Sequence, residues 1–112
     1  MIFLLIRKSL EDLFDNFYDS RPMEETRYPL VFLGEEFKLN NRQSKDYLNK
    51  ETTLTIHFYH NDIKKRGTIK RMMNTTEKSL YKYSENIGQR IINEVSKEIE
   101  FIHGVLEITI NH

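Results

Sequence analysis

The sequence predicts an α+β fold in which two helices pack on one face of a four-stranded, mostly antiparallel sheet. Apolar residues recur at three- and four-residue steps over residues 2–18 and about 65–83, which is typical of amphipathic helices. Apolar and polar residues alternate over 51–60 and 104–111, which is typical of strands with one buried face. The order is α-β-β-α-β-β, and packing both helices on one face covers such a sheet most economically. The strands are predicted at 29–37, 51–60, 89–96 and 104–111.

The first helix is predicted over residues 2–18, because its apolar residues share one face and most charged residues fall on the other. A polar stretch at 19–27 follows, and Pro22 within it ends the helix. The apolar run that opens the chain is too short for a secretory signal or a membrane span, so neither is expected. The apolar face comprises Ile2, Leu5, Ile6, Leu10, Leu13, Phe14 and Phe17.

The strand at 29–37 is apolar on both faces from Leu30 to Leu33, so we expect it to be covered on both sides. A long polar connection follows at 38–50, with charges of both signs and one aromatic residue, Tyr47. Connections of this length are uncommon in compact domains unless they have a function. A lone aromatic side chain in such a segment is a candidate anchor for a protein contact.

The strand at 51–60 has the clearest alternation of the chain. One face is predicted to join the core, and the opposite face is predicted to be polar or to form an interface. The core face carries Leu54, Ile56 and Phe58, and the opposite face carries Thr53, Thr55, His57 and Tyr59.

The second helix, at about 65–83, is followed by the last two strands, which we expect to pair as a hairpin around Lys97–His103. In the last strand, Leu106, Ile108 and Ile110 are predicted to face inward, and Glu107 and Thr109 outward. The buried stripe of the helix is predicted to be Ile69, Met72, Met73, Thr76, Leu80 and Tyr83.

The composition predicts one domain, spanning residues 1–112, with a single core. The chain contains 17 basic and 17 acidic residues, so the formal net charge is zero. Proteins whose main task is binding nucleic acid usually carry a basic excess, so that class is disfavoured. The chain has no cysteine, which excludes disulfides, thiolate zinc sites and thiol catalysis.

The sequence offers no convergent set of catalytic or metal-binding residues, so we expect no enzyme activity, metal or cofactor. His57 and His60 stand three apart on a strand, so their rings should diverge. Glu35 and Glu36 are adjacent on a strand, so their carboxylates cannot flank one bond. A basic cluster is either a solvated face or a contact for DNA phosphates or an acidic partner. It comprises Lys64, Lys65, Arg66, Lys70 and Arg71.

Three stretches stand in a distinctive order along the chain. They are Tyr28-Pro29-Leu30-Val31-Phe32-Leu33-Gly34-Glu35, Leu54-Thr55-Ile56-His57-Phe58-Tyr59 and His103-Gly104-Val105-Leu106-Glu107-Ile108. Together with the opening helix, they resemble the tail terminator, or tail completion, proteins of long-tailed bacteriophages over nearly the whole chain. The middle stretch departs from that family, which often has tryptophan where this chain has Phe58-Tyr59.

The resemblance implies a structural virion protein of the tail and neck, assembled in the host cytoplasm. Similar proteins form a ring, usually hexameric, that caps the head-proximal end of the tail tube. The implied partners are further copies of the chain, the major tail tube protein and the head connector. DNA would pass through the ring as cargo only, and no membrane partner is implied. Two alternatives remain: another head–tail connector of the neck, and a small non-viral interaction module.

Two surfaces are the predicted ring contacts. One is the 38–50 connection, where Arg42 or Lys45 of one copy would pair with an acidic group of the next and Tyr47 would anchor the contact. The other is the polar face of the strand at 51–60. The acidic groups are Glu35, Glu36 and Asp46, and the polar face contributes Thr55, His57 and Tyr59.

Overall fold

The protein folds around one mixed sheet. The structure is a computed structural model that describes residues 2–18, 28–40 and 50–111. The helices are α1 (Ile2–Leu13), a 3₁₀ turn (Ile63–Lys65) and α2 (Arg66–Leu80). The strands are β1 (Phe17–Tyr18), β2 (Leu30–Asn40), β3 (Lys50–His60), β4 (Ile87–Ser96) and β5 (Ile99–Asn111).

Over the described residues, the sheet has five strands in the order β1-β2-β3-β5-β4. The β1–β2 pair is parallel and the other three pairs are antiparallel. The α+β class is therefore confirmed, but the prediction of four strands misses β1. Residues 17 and 18 were predicted to be helical because Phe17 continues the apolar spacing of α1. The chain instead turns after Leu13, and the Asn16 carbonyl accepts a hydrogen bond from the Val31 N–H at 3.0 Å.

Both helices contribute to the main core, which lies on one face of the sheet. Ile6 and Leu10 of α1 are fully buried there, beside buried residues of α2 and of strands β2, β3 and β5. The predicted facing of β3 and β5 is confirmed, since Ile56 and Leu106 lie opposite each other and neither is exposed. The other fully buried residues of this core are Val31, Leu54, Phe58, Ile69, Met73, Leu80, Ile102 and Ile108.

A glycine sets the distance between α2 and the sheet. A β-carbon on Gly104 would lie 2.6 Å from the Met73 sulfur and 2.8 Å from Cγ2 of Ile69. Both contacts are closer than packed atoms tolerate. The absence of a side chain at Gly104 therefore allows α2 to pack directly on β5.

Several boundaries differ from the prediction. The last hairpin turns at Lys97 and Glu98, which have φ angles of 51° and 67°, so the strands continue almost to the turn. His103 consequently lies within β5 rather than in a loop. Residues 38–40 belong to β2 and Lys50 to β3, and residues 41–49 lie outside the described residues.

The second helix ends at Leu80, and Tyr83 lies beyond it. The first helix buries a narrower face than predicted, because Leu5 and Leu13 are 52% and 37% exposed. In the part of the chain that is described, no helix is long and apolar enough to cross a membrane.

Candidate functional site

A stack of aromatic and histidine rings covers the sheet face opposite the helices. His57 and Tyr59 of β3 both stack on Phe32 of β2, with ring centroids 4.8 and 5.7 Å apart. His103 of β5 stacks on Tyr59 at 4.1 Å. We call this set, completed by Phe101, which meets Tyr59 edge-on, the aromatic face. The apolar positions of β2 are therefore buried on both sides of the sheet, as predicted.

The two histidines of the aromatic face are hydrogen-bonded to each other. His57 Nδ1 and His103 Nε2 lie 2.8 Å apart, so one ring nitrogen donates and the other accepts. On its other side, His103 Nδ1 lies 3.6 Å from a carboxylate oxygen of Glu94 on β4. The chain carboxylate–imidazole–imidazole thus crosses strands β4, β5 and β3. The His57–His103 hydrogen bond orients the two rings relative to each other across strands β3 and β5.

The His57 ring packs between residues of the two neighbouring strands, Phe32 of β2 and His103 of β5. A β-carbon on Gly34 would lie 2.8 Å from His57 Nε2, so the glycine leaves room for the ring edge. Gly34 stands where the β2–β3 register shifts by one residue, between Leu33 and Glu36. The bulge and the glycine together seat the His57 ring against β2.

The predicted contact residues of β3 fall on or beside this aromatic face. Thr55 and His57 are half-buried and Tyr59 is 8% exposed, so much of Tyr59 is already occupied within the molecule. A hydrogen bond of 3.1 Å between Thr53 and Thr109 continues the face toward the strand ends. Contact through β3 stays a prediction, and its accessible part is near Thr55 and His57.

The predicted contacts of the 38–50 connection are not brought together by the described part of the molecule. Glu35 and Glu36 belong to β2 and lie at its bulge. Arg42, Lys45, Asp46 and Tyr47 lie outside the described residues. Their role also stays a prediction.

His57 and His60 do not meet. His60 stacks on Tyr28 with ring centroids 6.4 Å apart, and its Nδ1 accepts a hydrogen bond from the Asp62 N–H at 3.2 Å. Within the described ranges, no three His, Cys, Asp or Glu side chains stand close enough together to hold a metal ion.

A basic groove lies between the start of α2 and strand β4. It is open, has a volume of about 500 Å³ and is lined by Arg66, Gly67, Lys70, Arg90 and Ile91. Arg66 donates to the side chain of Asn93 at 3.3 Å, and Lys70 to that of Gln89 at 2.8 Å. Both acceptors are neutral amides, so they position the two cations without cancelling their charge. This groove contains part of the predicted basic cluster.

Sequence reasoning missed Arg90 as a member of that cluster. Arg90 lies 20 residues after Lys70 and joins it only because β4 pairs with β5, on which α2 packs. The sequence shows Arg90 only as a lone cation beside Gln89 and Ile91, which does not signal a groove. Finding the groove required the strand order.

Strand β4 is the open edge of the sheet on this side. Apolar side chains are exposed along it and its hairpin: Ile92 is 44%, Val95 68% and Ile99 43% exposed. An edge strand also presents unpaired backbone donors and acceptors. We call this strip, Ile87–Ser96 with Ile99, the β4 edge.

The opposite end of α2 has a different electrostatic character. The negative charge of Glu77 raises the pKa of the exposed Tyr81 phenol, with smaller contributions from burial and from Glu85. The phenol therefore remains a neutral hydrogen-bond donor well above physiological pH.

No protein-family model and no curated protein sequence matches this chain. A functional assignment therefore rests on its own residues and geometry. The stretches 30–35, 54–59 and 103–108 lie in β2, β3 and β5, which are neighbours at the centre of the sheet.

Proposed function

We propose that the protein is a structural component of a phage virion that caps the head-proximal end of the tail tube as a ring. The observation that carries the proposal is the exposed apolar strip of the β4 edge. A long edge strand with Val95 68% exposed is a surface that a partner strand or a neighbouring subunit can cover. Such a strip favours assembly over action as an isolated monomer.

The distribution of polar groups also supports a role in recognition rather than catalysis. The histidines of the aromatic face are packed into the sheet, and the basic groove presents cations and Ile91. Neither arrangement sets a nucleophile beside a general base, as most hydrolytic sites require. We therefore propose that the function of the protein is to bind other protein subunits.

The proposed partners follow from the resemblance. Copies of the chain form the ring, usually a hexamer, on the end of the tube built by the major tail protein. The free face of the ring docks on the head connector, and DNA passes through its centre. The protein is then a virion protein of the tail and neck that is assembled in the host cytoplasm.

The proposal is tested in phage particles by deleting the gene and examining the lysate by electron microscopy. We expect overlong tails or tails not joined to heads, and restoration of both by the wild-type gene in trans. Complementation with Tyr47→Ala combined with Arg42→Ala tests the 38–50 connection, and we expect it to restore tails incompletely although the purified variant is folded. Normal joined tails from the deletion would refute the function, and full complementation would refute only the contact residues.

A further inference from the structure

We infer that the basic groove is the socket for the acidic end of α1 of a second copy of this chain, in a head-to-tail contact. The inference rests on the proposed function for its biological setting, because such contacts build rings. The charge, position and exposed apolar surface of the two regions are properties of the chain that do not depend on the phage context.

The charge of the groove is concentrated and uncompensated within the described molecule. Arg66, Lys70 and Arg90 line it, and no carboxylate of the described residues forms an ion pair with any of the three. Lys64, Lys65 and Arg71 are exposed close by along the chain. The whole chain is nonetheless neutral, so an equal negative charge lies elsewhere on it.

Part of that negative charge lies at the end of α1. Glu11 pairs with Arg7 at 3.2 Å, whereas Asp12 and Asp15 are exposed and make no ion pair with a described residue. Leu4 and Leu5 on the outward side of the same helix are 54% and 52% exposed. The helix therefore offers carboxylates and apolar side chains together, as the groove offers cations beside Ile91, with Ile92 and Val95 exposed farther along β4.

The two surfaces lie at opposite ends of the sheet. Asn16, directly after Asp15, bonds to β2 on the β1 side, while the groove borders β4 at the other edge. Three strand spacings of about 4.8 Å separate β2 from β4, and within the described part of one molecule no ion pair joins the two groups. In a second copy they can meet, and a contact between two different surfaces propagates from copy to copy and closes into a ring when the rotation permits.

A second copy of the chain matches both the charged and the apolar groups of these surfaces, whereas a nucleic acid matches only the charged ones. A phosphate backbone would use the cations, but it has no apolar groups to match Ile91, Val95 and the exposed leucines of α1. Phosphate binding also ordinarily accompanies a net basic domain, and this chain is neutral.

The test exchanges charges between the two surfaces and measures self-association of the purified chain by sedimentation equilibrium at low salt. Lys70→Glu with Arg90→Glu, and separately Asp12→Lys with Asp15→Lys, should each weaken association by about tenfold or more, since like charges then face each other. Combining all four changes in one chain should restore association, because the signs are exchanged on both sides of the contact. The matched control, Lys78→Glu with Lys82→Glu, alters exposed lysines at the other end of α2 and should leave association unchanged.

Three results would overturn the inference. They are a wild-type chain that remains monomeric up to about 1 mM, single-surface reversals that have no effect, and a fourfold variant no better than the reversals. If the groove reversal instead abolishes binding of a DNA duplex while association is intact, the groove is a phosphate site. Tail length in infected cells is a separate measurement, so failure of this contact and failure of the proposed function are distinguishable.

Discussion

Single residues decide how closely the layers of this molecule approach one another. Gly104 permits α2 to lie on β5, and Gly34 seats the ring of His57 against β2. The His57–His103 hydrogen bond then links strands β3 and β5 on the sheet face opposite the two described helices. All four residues lie in the three central strands of the sheet, where they set its packing.

The role of Gly104 is testable by a single added methyl group. Gly104→Ala should lower the free energy of unfolding by about 1–3 kcal/mol, the usual cost of overpacking a core. The reason is that Ile69 is β-branched and cannot move its Cγ2 away as easily as Met73 can move its sulfur. Urea unfolding followed by circular dichroism measures the change.

Gly67→Ala is the matched control, because no atom lies within 4 Å of a β-carbon at this position in α2. It should stabilise the protein by about 0.5–1 kcal/mol through helix propensity and a more restricted unfolded chain. Equal effects of the two substitutions would contradict the described packing of α2 on β5.

At the scale of elements, the hairpin β4–β5 carries the open edge and is closed by a strained turn. Lys97 and Glu98 both have positive φ, a conformation that costs residues other than glycine roughly 1–2 kcal/mol each. Two-residue hairpin loops of this kind favour Asn-Gly because those residues adopt it readily. The turn therefore sets the register of the strand that we propose as an assembly surface.

Replacing this turn with Lys97→Asn and Glu98→Gly should raise the unfolding free energy by about 1 kcal/mol. Thermal and urea unfolding of the double variant measure the gain. Glu100→Gly, two residues farther along in β5, is the control and should lower stability by about 0.5–1 kcal/mol because strand residues gain nothing from glycine. A double variant that is less stable than the wild type would show that the turn has another geometry.

Elements with strong local patterns were predictable from the sequence, and those that depend on tertiary pairing were not. Apolar and polar residues alternate along β3 and β5, and this local pattern correctly predicted that Ile56 and Leu106 face the core. Strand β1 was missed because Phe17 keeps the apolar spacing of the preceding helix. Likewise, His103 was predicted to lie in the hairpin loop, so its pairing with His57 could not be anticipated without the strand register.

At the scale of the whole molecule, the two ends of the sheet are different and complementary. The β4 end carries cations and exposed apolar side chains, and the α1 end carries carboxylates and exposed leucines. A molecule with such polarity is suited to a ring in which each copy uses one surface to bind the next. This polarity connects the proposed head-to-tail contact with the proposed cap on a tail tube.

The most direct test of the central claim is the location of the protein on phage particles. The chain has no cysteine, so Lys82→Cys, at an exposed position, can carry a single maleimide–gold label. The labelled protein would be supplied to tails that lack the gene product and viewed by electron microscopy. We predict gold at the head-proximal end of each tail tube and nowhere else. Gold along the tube, at the distal tip or on tail-less heads, or no gold on any particle, would contradict the account.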